Sequence, residues 1–155
     1  MRDIILAIDN YVNFDELNIC IPAVSVIIEN SISTKKFILL QTRSKYTIDP
    51  VYSGKLEIPT GLIQRYEEPI DAAIREVFEE TGIKLSKKYI DYKTVYYDGI
   101  NDDRVMKIEP FCTSQQIKGG RAYLNISFIA RLKNFRGEIK ANKNETANPK
   151  WYSTD

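Results

Sequence analysis

Residues Gly61–Ile83 read GLIQRYEEPIDAAIREVFEETGI, and their order of polar and apolar positions admits few local structures. At about 100° per residue, Glu76, Glu79 and Glu80 would fall within an arc of roughly 100° on a helix. Ile70, Ala73, Ile74, Val77 and Phe78 gather on a second arc, centred about 130° away by the same arithmetic. The spacing predicts a helix over about 69–81, with one face for packing and one that carries dense negative charge. Pro69 suits its first turn, where a missing N–H has no partner to lose. Gly82 suits the left-handed cap that follows the last periodic residue. Like charges one turn apart are unfavourable by a few tenths of a kcal/mol per pair, so three glutamates on one side predict a cation there. Arg75 precedes Glu79 by one turn and can reach its carboxylate. Glu67 lies before the helix, in a loop that leads out of a predicted glycine turn at Gly61.

The same positions fill a known pattern, G-x5-E-x7-R-E-U-x-E-E-x-G-U with U a bulky aliphatic. Here it is carried by Gly61, Glu67, Arg75, Glu76, Val77, Glu79, Glu80, Gly82 and Ile83. The stretch resembles the Nudix box, the signature of the Nudix hydrolases. A merely solvated acidic face would not need Gly61, Glu67 or Arg75 at those offsets. The resemblance implies an α+β fold, a Nudix-type α/β/α sandwich around a mixed β-sheet, with 69–81 as the principal catalytic helix. It also implies that Glu76, Glu79 and Glu80 hold Mg²⁺ or Mn²⁺, joined by the backbone carbonyl of Gly61. Glu67 would lie at the edge of that site, behind the metal ligands or on a weaker metal, and Arg75 would more readily hold a glutamate in place than touch substrate. Both ions are hard cations that take oxygen ligands, and they would neutralise a pyrophosphate bridge and activate a water. The implied reaction is hydrolysis of a nucleoside diphosphate linked to another group. Two residues are candidates to accept the water's proton: Glu79, and Glu145 in the polar loop 142–148.

Upstream of the box, Gln41-Thr42-Arg43 and Glu57-Ile58-Pro59-Thr60-Gly61 look like the Q-x-R and E-[IL]-P-A-G elements of ADP-ribose and nucleotide-sugar pyrophosphatases in this family. Thr60 departs from the alanine of that pattern. Arg43 and Glu57 are therefore candidates for substrate binding. Arg43 could pair with a phosphate bidentately, and Tyr46 or Tyr52 could stack on a base. With ten tyrosines in the chain, packing or solvent contact is their ordinary role. The expected substrate is a small nucleotide, ADP-ribose or a nucleotide sugar ahead of a nucleoside triphosphate. A nucleotide-sensing module commonly lacks box glutamates, and none is missing here. RNA decapping would call for a basic groove, which a net charge of +1 does not suggest.

Length and composition fit a single domain over residues 1–155, with 43% hydrophobic and 28% charged residues, as in soluble globular proteins. The near-zero charge predicts neither nucleic acid nor membrane as a partner. MRDIILAIDN at the N-terminus has an apolar run too short for a signal peptide or a membrane span. Cys20 and Cys112 lack metal or disulfide spacing, so a reduced cytoplasmic setting is expected. The absence of histidine excludes histidine bases and imidazole ligands. Strands are expected at Cys20–Glu29, Lys36–Arg43 (across a turn at Asn30–Lys35), Lys55–Ile58, Ile90–Tyr97, Val105–Ser114, Ala122–Leu132 and Lys150–Ser153. A hairpin turn is expected at Lys118–Arg121. Trp151-Tyr152-Ser153-Thr154-Asp155 resembles the lead-in to a second family helix. The sheet face it would cover is expected to be closed by such a helix or by a second subunit, a homodimer.

Overall fold

Alternating β-branched and aliphatic residues pull the middle of this chain into strands. The computed structural model describes residues 19–47, 50–142 and 144–154. The N-terminal apolar run read above lies outside the described residues. β1 (Ile21–Ile32) and β2 (Lys35–Arg43) are antiparallel, with pairing that continues through Asn30↔Phe37, Ser31↔Lys36 and Ile32↔Lys35. The turn is thus only Ser33-Thr34, tighter than the expected Asn30–Lys35. Polar residues pair through their backbones as readily as apolar ones, and Ser33 takes the left-handed φ of 56° that a tight reversal demands. The short strands β3 (Leu56–Glu57) and β4 (Thr60–Leu62) pair with β2 and β1 respectively.

Helix α1 (Pro69–Thr81) has the predicted bounds, with Pro69 in the first turn and Gly82 at φ 72° as its cap. Beyond it come β5 (Ile90–Asp91), β6 (Lys93–Asp98), β7 (Arg104–Glu109), β8 (Cys112–Gln115), β9 (Tyr123–Lys133) and β10 (Thr146–Ser153). The main sheet has the order β10-β2-β1-β9-β5, with β3, β4 and β8 beside it, while β6 and β7 form a separate two-stranded ribbon. The β1–β9 pair is parallel, from Ile21↔Tyr123 to Ser31↔Lys133, so the sheet is mixed and the α+β expectation holds. Two expected strands are each broken. Val105–Ser114 divides at Pro110-Phe111, because Pro110 has no N–H for the ladder. Ile90–Tyr97 divides at Tyr92, whose ring packs edge-on against Phe128 at 6.5 Å. The last strand begins at Thr146 rather than Lys150, which brings Glu145 to its edge.

Period-two alternation places Val24, Val26 and Ile28 of β1, Leu39 of β2 and Phe128, Ala130 and Leu132 of β9 in one buried layer. Ile70, Ala72, Ala73 and Val77 of α1 close that layer. Each large aliphatic so buried contributes roughly 1.5–3 kcal/mol. Phe78, expected on the packing face, is 48% exposed. Two small residues, Ala72 and Ala73, let α1 settle closely on the sheet, in a rotation that carries Glu76, Glu80 and Thr81 inward with them. Two of the three carboxylates of the negative face, Glu76 and Glu80, are therefore buried, and Glu79 stays exposed. Among the described residues α1 is the only α-helix, and none is long and apolar enough to cross a membrane.

Candidate functional site

Gly61 explains how the inward carboxylates fit. It lies in β4 opposite Val24, on the side of the strand that faces α1, so it is a strand residue rather than the predicted turn. A Cβ at Gly61 would collide with the carboxyl group of Glu76. The glycine is required by this close approach, not by backbone conformation.

Arg75 binds the start of the helix together. Its Nε and Nη2 donate to Glu67 Oε1 and Oε2 at 2.8 and 2.9 Å, and Nη2 also donates to the Leu62 carbonyl. Nη1 donates to Glu76 and lies 3.5 Å from Glu79. The expected Arg75–Glu79 contact is thus the longest of the set, and Glu67 is the principal partner. Burial opposes ionisation of Glu67, but the Arg75 hydrogen bond and the Gln64 N–H at 3.0 Å outweigh it and lower its pKa. Both Glu67 oxygens are engaged in this clamp. Arg75 is held firmly protonated, first by its bond to Glu67.

Glu76 and Glu80 have less compensation. Burial raises Glu76 despite Arg75, and the nearby charges of Glu79 and Glu145 push it further in the same direction. Glu80 is 2% exposed. Its Oε2 accepts from the Gln41 side-chain amide at 2.6 Å and from the Thr60 backbone N–H at 3.1 Å. Neutral donors do not replace the hydration of a charge, and burial lifts this carboxyl to about 8, with Lys45 opposing and Glu57 reinforcing the rise. Glu79 remains at the rim, its side chain 37% exposed.

The helix C-terminus positions the remaining candidates. The Lys140 N–H donates to the Thr81 carbonyl at 2.8 Å, and the Glu80 carbonyl accepts from Asn142 N–H and the Thr146 hydroxyl. These are helix-end carbonyls that lack intrahelical partners. Capping them docks the segment before β10 against α1, and Glu145 comes with it. Glu145 Oε2 pairs with Lys45 Nζ at 3.0 Å, while Ser44 N–H donates to the Glu145 carbonyl at 2.8 Å. Arg43 Nη1 pairs with Glu57 Oε2 at 3.1 Å. The fold thus gathers Gly61, Glu67, Arg75, Glu76, Glu79, Glu80 and Glu145 around one helix edge, with Arg43 and Glu57 flanking it. Tyr46 and Tyr52 are 62% and 45% exposed, and the Lys55 ammonium lies 4.8 Å over the Tyr52 ring.

Sequence reasoning missed Gln41, Lys45 and Thr60 as partners of this edge. A signal for Gln41 was present: it opens the Gln41-Thr42-Arg43 element and stands two residues from Leu39, on the same face of a strand.

Among the described residues no three carboxylates close to metal-ligating distances, and Glu76 is turned to Arg75. The chemistry of the donors nevertheless suits a hard cation. All are oxygens, two belong to buried carboxylates whose pKa values are raised by burial, and an added positive charge is what such a pair lacks.

A family model described as NUDIX domain matches residues 21–155. The chain belongs to the Nudix family. Over 53 residues it is 47% identical to an RNA pyrophosphohydrolase of Bartonella quintana (strain Toulouse), a match that covers 32% of this chain and only 30% of that relative. The fold recurs among many solved structures. A MutT/nudix family protein from Enterococcus faecalis has a TM-score of 0.66 at 16% identity, covering 96% of this chain and 49% of that one. The NUDIX domain of Shewanella oneidensis NrtR complexed with ADP ribose has a TM-score of 0.60 at 14% identity, covering 96% and 82%. A C. elegans Ap4A hydrolase binary complex has a TM-score of 0.54 at 20% identity, covering 86% and 80%.

Proposed function

We propose that this Nudix protein is a divalent-metal-dependent pyrophosphohydrolase that cleaves a nucleoside diphosphate linked to another group, ADP-ribose or a nucleotide sugar in the first instance. The observation that carries the reading is the pair of buried carboxylates, Glu76 and Glu80, beside the rim carboxylate Glu79 on one edge of α1. Mg²⁺ or Mn²⁺ bound there would supply charge for the pyrophosphate oxygens and acidify a water. Glu76, Glu79 and Glu80, with the Gly61 carbonyl, are the residues that would hold it. Glu67, with both oxygens engaged by Arg75, serves in this reading to fix the guanidinium that steadies Glu76. Glu79 and Glu145 stand at the rim, either able to accept the water's proton. Lys45 and Arg43 bring positive charge to the same side, where a substrate phosphate would lie. Arg43 and Glu57 follow the upstream pattern of the ADP-ribose group, which ranks that substrate class ahead of nucleoside triphosphates.

The resemblance to an RNA pyrophosphohydrolase supports a second reading, in which a phosphoanhydride bond at the 5′ end of an RNA is hydrolysed. One experiment separates the readings. Purified protein with Mg²⁺ or Mn²⁺ is offered ADP-ribose, UDP-sugars, dinucleoside polyphosphates, dNTPs and 5′-triphosphorylated RNA, and released products are measured. Release from ADP-ribose or a nucleotide sugar is expected, with EDTA abolishing it. Turnover of RNA alone would favour the second reading, and binding without turnover would indicate a nucleotide sensor.

A further inference from the structure

Gln41 is a polar residue in a place where packing alone would favour an apolar one. It is 0% exposed on β2, between Leu39 of the core and Arg43 at the site. Its amide nitrogen donates to Glu80 Oε2 at 2.6 Å, yet its carbonyl Oε1 is enclosed without a hydrogen-bond partner among the described residues. A buried acceptor left unpaired is a standing cost, and replacing such a group by an apolar one of the same shape can be neutral or stabilising. Core packing therefore does not account for this side chain. Among the described residues the side chain hydrogen-bonds to Glu80 alone.

That engagement is specific in direction. Gln41 and the Thr60 N–H converge on the same oxygen, Oε2, and no hydrogen bond among the described residues holds Oε1. Two donors on one oxygen fix the rotation of the carboxyl group and leave the other oxygen for a further partner. A guanidinium in place of the amide would neutralise Glu80, as Arg75 does Glu67. The amide orients the carboxyl group without bringing a positive charge of its own to it. We infer that Gln41 is a positioning residue: it sets the orientation in which Glu80 meets a divalent cation, without touching cation or substrate itself. This rests on the metal-dependent reading above.

The test is Mn²⁺ binding by electron paramagnetic resonance on purified wild type and Gln41→Met, a substitution that keeps the side-chain length and removes the donor. Partners that orient a ligand typically account for 10–100-fold in metal affinity. The Mn²⁺ Kd is expected to rise about tenfold or more, and the half-activating Mn²⁺ concentration with it, while kcat at saturating Mn²⁺ stays within about threefold of wild type. A purely structural role would lower the fraction of active protein and leave that midpoint where it was. A rise in Kd below about threefold overturns the inference. Wild type that binds no Mn²⁺ overturns the metal reading itself, a different outcome from a wild type that binds and a variant that binds equally well. Should Gln41→Met fail to fold, the assigned Gln41 side-chain amide of ¹⁵N-labelled wild type provides a second readout. It is expected to shift on addition of Mg²⁺ and not of Na⁺, and an unchanged resonance overturns the inference.

Discussion

At the start of α1, Glu67 receives both arms of the Arg75 guanidinium together with a backbone N–H, and its pKa is lowered. Towards the other end of the same helix, Glu80 receives an amide and a backbone N–H, and burial lifts it to about 8. The residue type and the hydrogen-bond distances are alike, but the shifts are opposite. Hydrogen bonds satisfy geometry, whereas an opposite charge offsets lost hydration. In the proposed metal-dependent reading the clamp at Glu67 would be scaffold, and Glu80 would be the carboxylate still able to gain from a cation.

The largest test of that contrast is Glu80→Gln. Glutamine keeps the shape and an acceptor for both donors but removes the charge. With the best substrate of the panel, kcat/KM is expected to fall about 10²-fold or more, the scale of several kcal/mol of lost charge stabilisation. The thermal midpoint should hold or rise. Activity within a fewfold of wild type would place the chemistry elsewhere.

Next in size is a pH effect on the chelated, metal-free protein. The folded state keeps a proton on Glu80 up to about pH 8, whereas an ordinary glutamate releases it near 4.5. Between those values the folded state binds more protons than the unfolded chain, so stability falls as pH rises through the window and levels off above it. Glu76 is raised in the same sense. Glu67, lowered, acts oppositely and only below its ordinary value. Urea unfolding at pH 5, 6.5 and 8 should show a decline of at most a few kcal/mol, largely flattened in Glu80→Gln. A wild-type profile that rises with pH would contradict the account of Glu80.

Arg75→Ala attacks the other half of the comparison. It strands Glu67 and Glu76 together, with the guanidinium side chain 23% exposed in the native clamp. Partial solvent access discounts the cost of breaking a buried pair to about 2 kcal/mol, measurable as a lower urea midpoint at pH 7. Loss of less than about 0.5 kcal/mol would mean that the clamp is a surface pair in effect.

How much of this was legible beforehand follows the range of the interactions. The bounds of α1 could be read because Pro69 and Gly82 act locally on the chain that carries them. The parallel pairing of β1 with β9 could not, since it joins residues about a hundred positions apart and alternation in one strand does not name its neighbour. The apolar arc misplaced Phe78 because it weighed hydropathy alone, while Ala72 and Ala73 set how closely the helix could approach. The site residues of the box were named by their pattern, but their roles depend on who meets them. Arg75 reads as a partner for Glu79 by helical spacing, yet Glu67 arrives from the loop with better geometry. Gly61 reads as a turn, and its reason is a carboxyl group from another element.

A smaller effect is expected where Gly61 meets Glu76. Gly61→Ala places a methyl group against the carboxyl of Glu76, and the far end of a glutamate can swing aside with little loss of stability. Moving it should nevertheless lower kcat by about tenfold, since small misplacements of a group that positions the reacting centre are costly, with the thermal midpoint changed by only a few degrees. An equally active Gly61→Ala would show that the position of Glu76 is not critical.

The smallest expected effect makes the sharpest control. On the β6–β7 ribbon, Arg104 Nε donates to Asp98 Oδ1 at 2.6 Å, closer than Arg75 comes to Glu67. The side chains there are 67% and 71% exposed. Water solvates both charges before and after folding, so a good distance confers almost nothing. Arg104→Ala is expected to leave both the urea midpoint and the turnover of the best substrate unchanged. A clear loss of stability would mean that hydrogen-bond geometry rather than burial governs these pairs, and would remove the reason for treating Glu67 and Glu80 as different kinds of carboxylate.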